Sequence, residues 1–228
     1  MHIVVLDVGG SSLKLWTPLA REPQKVETGE HFTPHDLQRE TRRILGDETP
    51  DRISIGYPGL VRWGRPAEEP MNLGSGWVGF DFAHALGCPV RIFNDAEMQA
   101  LGGYEGGRML YLGLGTGVGT TLITESGVNQ VALGLLPFKN DKSFAAFLTN
   151  DAREELGLDA WREAVIEAAS LLKQAMLADY VLIGGGGVED LEELPAGYRR
   201  GGNIHAYFGG LRMWEDIGAR STVLGHAP

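Results

Sequence analysis

The sequence holds a single cysteine, Cys88, in 228 residues. An intrachain disulfide is therefore excluded, as is a zinc site built on several cysteines, and Cys88 reads as a small buried hydrophobe. Positive charge is also scarce: 20 Lys and Arg face 30 Asp and Glu, for a net charge of −10, and no basic stretch stands out. Affinity for a nucleic-acid backbone comes mainly from clustered Lys and Arg, so no nucleic-acid partner is expected. Any phosphate bound here must be held by local backbone amides. No apolar run approaches the roughly 18 residues of a membrane span, so no membrane partner is expected either. The opening Met1-His2-Ile3-Val4-Val5-Leu6-Asp7 is too short an apolar stretch, and lacks the basic lead, for a secretory signal, which places the chain in the cytoplasm. The histidines, His2, His31, His35, His84, His205 and His226, show no ligand spacing and read as surface or capping residues.

What is abundant is glycine, 33 residues, and it is bunched: Gly9-Gly10, Gly102-Gly103, Gly106-Gly107, the stretch 113–119, the stretch 184–187, Gly201-Gly202 and Gly209-Gly210. Bunched glycines mark turns where backbone approaches something closely. Hydrophobic content of 43% and charged content of 22% are those of a globular chain. The length suits two lobes of about 100 to 120 residues.

Hydrophobic patterning predicts strands over 3–7 and 13–16 as a hairpin, a helix over 34–45, a strand over 52–57, a short helix over 80–86 closed by Gly87, and a strand over 90–93. Asn94-Asp95 then falls at the junction with a helix over 96–101, the kind of place where catalytic groups are often held. A second half starts near Arg108, where strands 109–114 and 120–124 flank a glycine turn and repeat the opening device. Helices over 143–156 and 160–177, split by Gly157, a strand over 180–183 and a closing helix over 205–219 follow. The glycine density near 103–108 sets an N-terminal lobe of 1–105 and a C-terminal lobe of 106–228.

Three turns carry candidate chemistry. In the first, Asp7-Val8-Gly9-Gly10-Ser11-Ser12-Leu13-Lys14, glycines expose amides, hydroxyls can donate to phosphate oxygens, and an acidic residue can hold magnesium. The second, Leu112-Gly113-Leu114-Gly115-Thr116-Gly117-Val118-Gly119-Thr120-Thr121, joins two strands. A dinucleotide fingerprint would need a helix there, so the turn reads as a nest of amides for a further phosphate. The third, Ile183-Gly184-Gly185-Gly186-Gly187-Val188-Glu189, ends a strand and can admit a flat ring against bare backbone.

These turns, in this order and with Asn94-Asp95 between the first two, resemble the actin-like ATPase and hexokinase superfamily. The nearer resemblance is to its ROK (repressor, open reading frame, kinase) sugar-kinase branch, and within it to polyphosphate glucokinase-like proteins. It extends through Gly56-Tyr57-Pro58-Gly59, 72–77, 87–96, 133–138, 156–161 and 200–214, nearly the whole chain. The resemblance implies an α/β, two-lobed ribonuclease H-like fold with a cleft between the lobes. It also implies a sugar kinase using Mg²⁺ and either ATP or polyphosphate as phosphoryl donor, and a homodimer, for which the apolar face of 160–177 offers a surface. In that scheme Asp95 is the general base toward a sugar hydroxyl, with Asn94, Pro58 and Gly59 binding the acceptor. Asp7 orients the metal. Gly9, Gly10, Ser11, Ser12, Lys14, Gly115, Thr116, Gly117, Gly185 and Gly186 hold phosphate and nucleotide.

The chain departs from that family at one place. Where members carry Glu-Leu-Gly-His, with the Glu and His on sugar hydroxyls, this sequence reads Ala132-Leu133-Gly134-Leu135. Loss of such contacts costs about 1 to 3 kcal/mol each, so ordinary glucose binding is weakened and a different acceptor is expected. The alternative is a catalytically degenerate member acting as a ligand-binding or regulatory protein. A DNA-binding regulator fits poorly, because the chain opens on the first phosphate turn and is acidic. Trp63, Trp77, Trp161 and Trp214 read as core anchors, with Trp77 the one that can stand at the cleft edge.

Overall fold

Every residue of β1 (Ile3–Val8) is buried, as expected of a strand covered on both faces. In the computed structural model, which describes residues 1–18, 20 and 22–215, β1 pairs antiparallel with β2 (Ser12–Trp16), and β2 with β3 (Gln24–Glu27). On its other edge β1 runs parallel to β4 (Arg52–Tyr57), which runs parallel to β7 (Val90–Asn94), giving the order β3-β2-β1-β4-β7. A two-stranded excursion, β5 (Val61–Arg62) and β6 (Arg65–Pro66), follows β4.

One face of this sheet, through Val4, Leu6, Leu13, Leu15, Ile53, Ile55 and Ile92, packs into a core with Leu37, Phe82, Tyr57 and Trp77. Leu37 comes from α1 (Pro34–Leu45), whose start combines Pro34 in the first turn with a capping box in which Thr33 and Asp36 satisfy each other's backbone amides. Phe82 opens α2 (Phe82–Leu86), capped by Asp81 and ended by Gly87 in the left-handed region.

The opposite face carries Val5 and Ser54, by the strand alternation of two, and is met by residues 206–215. Ser54 Oγ donates to the Gly210 carbonyl at 2.5 Å and accepts from Trp214 Nε1 at 2.8 Å. The Trp214 ring lies between the guanidinium groups of Arg52 and Arg91, each 4.7 Å from its centroid.

The chain divides into two units, Met1–Met98 with Ala206–Glu215, and Gln99–His205. The division falls a few residues before the 103–108 stretch read from glycine density, and it returns the final described segment to the first unit. α3 (Asp95–Gly102) crosses that division.

The second unit repeats the strand order of the first. β8 (Met109–Leu114), β9 (Val118–Thr124) and β10 (Gly127–Val131) form an antiparallel meander, while β13 (Tyr180–Gly184) and β14 (Tyr198–Arg200) run parallel to β8, in the order β10-β9-β8-β13-β14. Between the meander and β13 lie a small hairpin, β11 (Pro137–Lys139) and β12 (Lys142–Ser143), then α4 (Ala145–Leu148), α5 (Asn150–Leu156) and α6 (Leu158–Ala175). Trp161, Val165, Ala168, Ala169 and Leu172 of α6 fill the core against Leu110, Leu112, Val181 and Ile183. The last helix among the described residues is α7 (Ile204–Arg212).

Several sequence expectations are corrected here. The helix expected over 143–156 is two short helices, broken at Thr149, which is extended and caps α5 by accepting from the Ala152 amide at 3.3 Å. Of the apolar residues in 160–177, Trp161, Val165, Ala168, Ala169 and Leu172 are taken up by their own unit's core, while Leu171 and Leu177 are exposed. Trp77 is fully buried among Phe32, Tyr57 and Phe82 and not at an edge, whereas Trp63, expected inside, is 95% exposed at the tip between β5 and β6. His205 is half-buried against Gly103 and Gly201. His226 and the end of the expected closing helix, 216–219, lie outside the described residues. Cys88 is half-buried and packs against the first unit's core, and burial pushes its thiol pKa up. No helix among the described residues is long and apolar enough to cross a membrane.

Gly209-Gly210 in α7 permits close packing. A Cβ on Gly210 would lie 2.6 Å from Val5 Cγ2, so the helix can seat on β1 only without a side chain there. Gly210→Ala is expected to destabilise the protein by about 1 to 3 kcal/mol through overpacking, measured by urea unfolding. An unchanged midpoint would contradict this packing.

Candidate active site

Because β1, β4 and β7 are parallel, their carboxyl ends emerge together, as ligand-binding edges of such sheets do. Asp7 pairs in register with Gly56, Gly56 with Phe93, and Tyr57 with Asn94. Asp7, the turn at Pro58-Gly59, and Asn94-Asp95 are thereby gathered at one edge of the first unit.

Asn94 caps α3. Its Oδ1 accepts from the Ala96 amide at 3.0 Å, while Glu97, three residues on, accepts from the Asn94 amide at 3.0 Å, a reciprocal capping arrangement. Asn94 Nδ2 donates to the carbonyls of Gly59 at 2.9 Å and Tyr57 at 3.3 Å. Both side-chain amide hydrogens of Asn94 are therefore committed to the backbone, and Asn94 ties the Pro58-Gly59 turn to the start of α3.

Asp95 is the first residue of α3. Its pKa is raised to about 7, first by burial and then by the charge of Asp7, against the amide of Ala96, its own amide and Asn94, which pull in the other direction. Its carboxylate is thus a base poised near neutrality. Asp7 is buried, and burial raises its pKa too, against Lys14, whose Nζ lies 3.8 Å from Asp7 Oδ2. Lys14 faces Asp7 because the two are register partners across β1 and β2.

The turn between those strands is braced through its carbonyls. The Gly9 amide donates to Ser12 O at 3.0 Å, Thr28 Oγ1 to Gly9 O at 2.7 Å, and the Thr28 amide to Ser11 O at 3.2 Å. Among the described residues no backbone carbonyl takes up the amides of Gly10 and Ser11, which leaves them as donors. Beside this turn lies an open depression of about 550 Å³ lined by Gly10, Ser11, Lys25, Glu27 and Thr28.

The second unit assembles the other two glycine turns at the carboxyl ends of β8 and β13, where Gly113 and Gly184 are register partners. The tip at Gly115-Thr116-Gly117 is closed by the Gly115 amide donating to Gly117 O at 3.2 Å, and the Asn150 amide donates to Gly115 O at 2.9 Å. Gly185 stands against the backbone of Leu114 at φ 80°, and exposed Gly186 opens a short 3₁₀ turn, Gly186–Asp190. Leu135 is 76% exposed, and Ala132 is exposed as well.

Sequence reasoning missed Glu97, although the Asn94-to-Glu97 spacing is a readable capping signal. It also missed Thr28 and Lys25, for which β3 carries no hydrophobic alternation.

No family model matches the chain, and no curated protein matches it by sequence. Solved structures do. An inorganic polyphosphate/ATP-glucomannokinase from Arthrobacter sp. strain KM superposes with a TM-score of 0.75 at 19% identity, covering 97% of this chain and 98% of that one. A ROK family glucokinase from Streptomyces griseus, solved with glucose and AMPPNP, has a TM-score of 0.70 at 14% identity, covering 93% and 99%. A ROK family transcriptional regulator, a homolog of the E. coli MLC protein, reaches 0.71 at 14% identity, covering 96% of this chain and 78% of that one. The chain therefore has the fold of the ROK sugar kinases and their relatives, the actin-like ATPase and hexokinase fold.

Proposed function

We propose that this chain is a sugar kinase-like phosphotransferase that moves the terminal phosphoryl group of ATP or polyphosphate onto a hydroxyl of a sugar or related alcohol. The observation that carries the reading is Asp95, held at the first position of α3 beside Asp7 with its pKa raised to about 7. A carboxylate of ordinary acidity is a poor proton acceptor, while one near 7 is matched to a base working at neutral pH.

Asp95 accepts the proton of the acceptor hydroxyl as that oxygen forms a bond to the terminal phosphorus. The bond from phosphorus to the donor's bridging oxygen breaks, and its electron pair leaves with the shortened donor. Asn94 and Glu97 hold Asp95 in place and fasten the Pro58-Gly59 turn, which with Asp95 makes the acceptor site. The amides of Gly10 and Ser11, the hydroxyls of Ser11 and Ser12, and Lys14 meet phosphoryl oxygens. Gly115, Thr116 and Gly117 take the donor's further phosphates, and Gly185 and Gly186 its base when the donor is ATP.

Two neighbouring carboxylates, one of them raising the pKa of the other, fit a divalent cation that would relieve their repulsion. Asp7 would hold Mg²⁺, which would neutralise charge on the donor's phosphates. A second reading, a binding or regulatory protein without turnover, is favoured by Ala132 and Leu135 in place of the polar pair.

The two readings separate in a screen of the purified protein with magnesium, ATP or polyphosphate, and a panel of sugars and polyols. Phosphorylation of any acceptor is the expected result. Silence across the panel, with donor binding shown by calorimetry, would favour the second reading.

A further inference from the structure

We infer that Asn72 is a phosphoryl-binding residue, its carboxamide donating to an oxygen of the phosphate group seated on the turn of residues 9–12. The inference rests on the kinase reading for the identity of that phosphate, and on three observations of its own. A Cβ on Gly10 would lie 2.9 Å from Asn72 Cβ, 3.6 Å from its Nδ2 and 3.7 Å from its Cγ, so the carboxamide is held directly beside the turn. Gly10 accommodates that approach because it has no side chain. The amides of Gly10 and Ser11, the nearest donors, point to the same need, an acceptor-rich group lying on the turn.

The loop that carries Asn72 is also built to stay put. Glu69 accepts from the amides of Trp77 at 3.0 Å and Val78 at 3.2 Å, closing the segment 69–78 at its base. Leu73, next to Asn72, and Trp77 are both buried in the core of the first unit. Asn72 itself is exposed between these anchors, so its polar end does no packing for the fold. A neutral amide there adds donors to a site whose cation is already engaged with Asp7, without adding charge that would hold the product.

Asn72→Ala keeps the Cβ that rests on Gly10 and removes only the carboxamide. Asn72→Asp keeps the shape and replaces the donors with a carboxylate that repels phosphate. With free magnesium held constant, affinity for tripolyphosphate measured by calorimetry is expected to fall about 10-fold in the first and about 100-fold in the second. In turnover the donor KM rises by similar factors, the acceptor KM does not move, and the melting temperature stays that of the parent. Unchanged tripolyphosphate affinity in both variants overturns the inference while leaving the kinase reading intact, as does a rise confined to the acceptor KM. Weakened tripolyphosphate binding in a protein that phosphorylates no acceptor upholds Asn72 as a phosphate contact and removes the kinase reading. A parent protein that does not bind tripolyphosphate overturns both.

Discussion

Asp95→Asn is expected to cut phosphotransfer by about 10²- to 10⁴-fold while making the protein more stable than its parent at pH 8. The two effects have one cause. The site holds Asp95 where its charged form is disfavoured, which is what makes it a base and also what the fold must tolerate. Its pKa is about 7 in the folded protein, well above the ordinary 3.8 of an aspartate.

Below about pH 4 both states carry the proton and Asp95 imposes no cost. As pH rises from about 4 to about 7, the unfolded chain ionises while the folded protein holds its proton, so stability falls across that window and levels off above it. Asparagine keeps the shape and removes the charge. The variant should gain about 2 to 4 kcal/mol at pH 8 and about nothing at pH 4. Thermal unfolding at the two pH values reads the difference directly, and equal gains at both would show that charge burial is not the cause. A variant that keeps parental turnover removes Asp95 as the base.

Gly185→Ala is expected to be the most damaging single methyl addition in the second unit. Gly185 adopts φ 80°, a region that L side chains rarely enter, and a Cβ there would stand 2.7 Å from Leu114 N and 2.8 Å from Leu114 C. These are backbone atoms of a central strand, so no side-chain rotation relieves the clash. Positive φ strain and overpacking together give a loss of about 3 kcal/mol or more. Gly186→Ala is the control, since a Cβ there meets nothing within 4 Å, and its stability should stay within about 0.5 kcal/mol of the parent. Chemical unfolding of the pair decides it: equal midpoints would mean that the third glycine turn does not press on the second.

The contrast between those adjacent glycines marks how far the sequence could be read. Bunched glycines announced close approaches, and the three turns do stand at strand ends. Which glycine meets backbone and which meets solvent depends on the register of β13 against β8, which pairs Gly184 with Gly113 and is invisible in local pattern. Strands β1, β4 and β13, and helix α1, were legible because their burial leaves strong periodic signals. β3 and β14 were not, since one reads Gln-Lys-Val-Glu and the other Tyr-Arg-Arg and both lie at sheet edges with little to bury. Thr149 broke a helix because its side chain satisfies a helix start better than a helix interior.

The same holds for the candidate site. Asp95 was found from its place at a strand-to-helix junction, and Asp7 and Lys14 from the first turn. The commitment of the Asn94 amide to Tyr57 and Gly59, and the seating of Asn72 on Gly10, join segments 35 and 62 residues apart in the chain. No spacing rule reports contacts of that range.

The pH dependence of kcat/KM for phosphotransfer, taken from pH 5 to 9 with magnesium and a saturating donor, tests the central claim most directly. The account predicts a limb rising with unit slope to a plateau, with its break above the ordinary carboxylate range because burial of Asp95 raises its pKa in the folded protein. A profile flat through that range, in a protein that does turn over, would contradict Asp95 as the base.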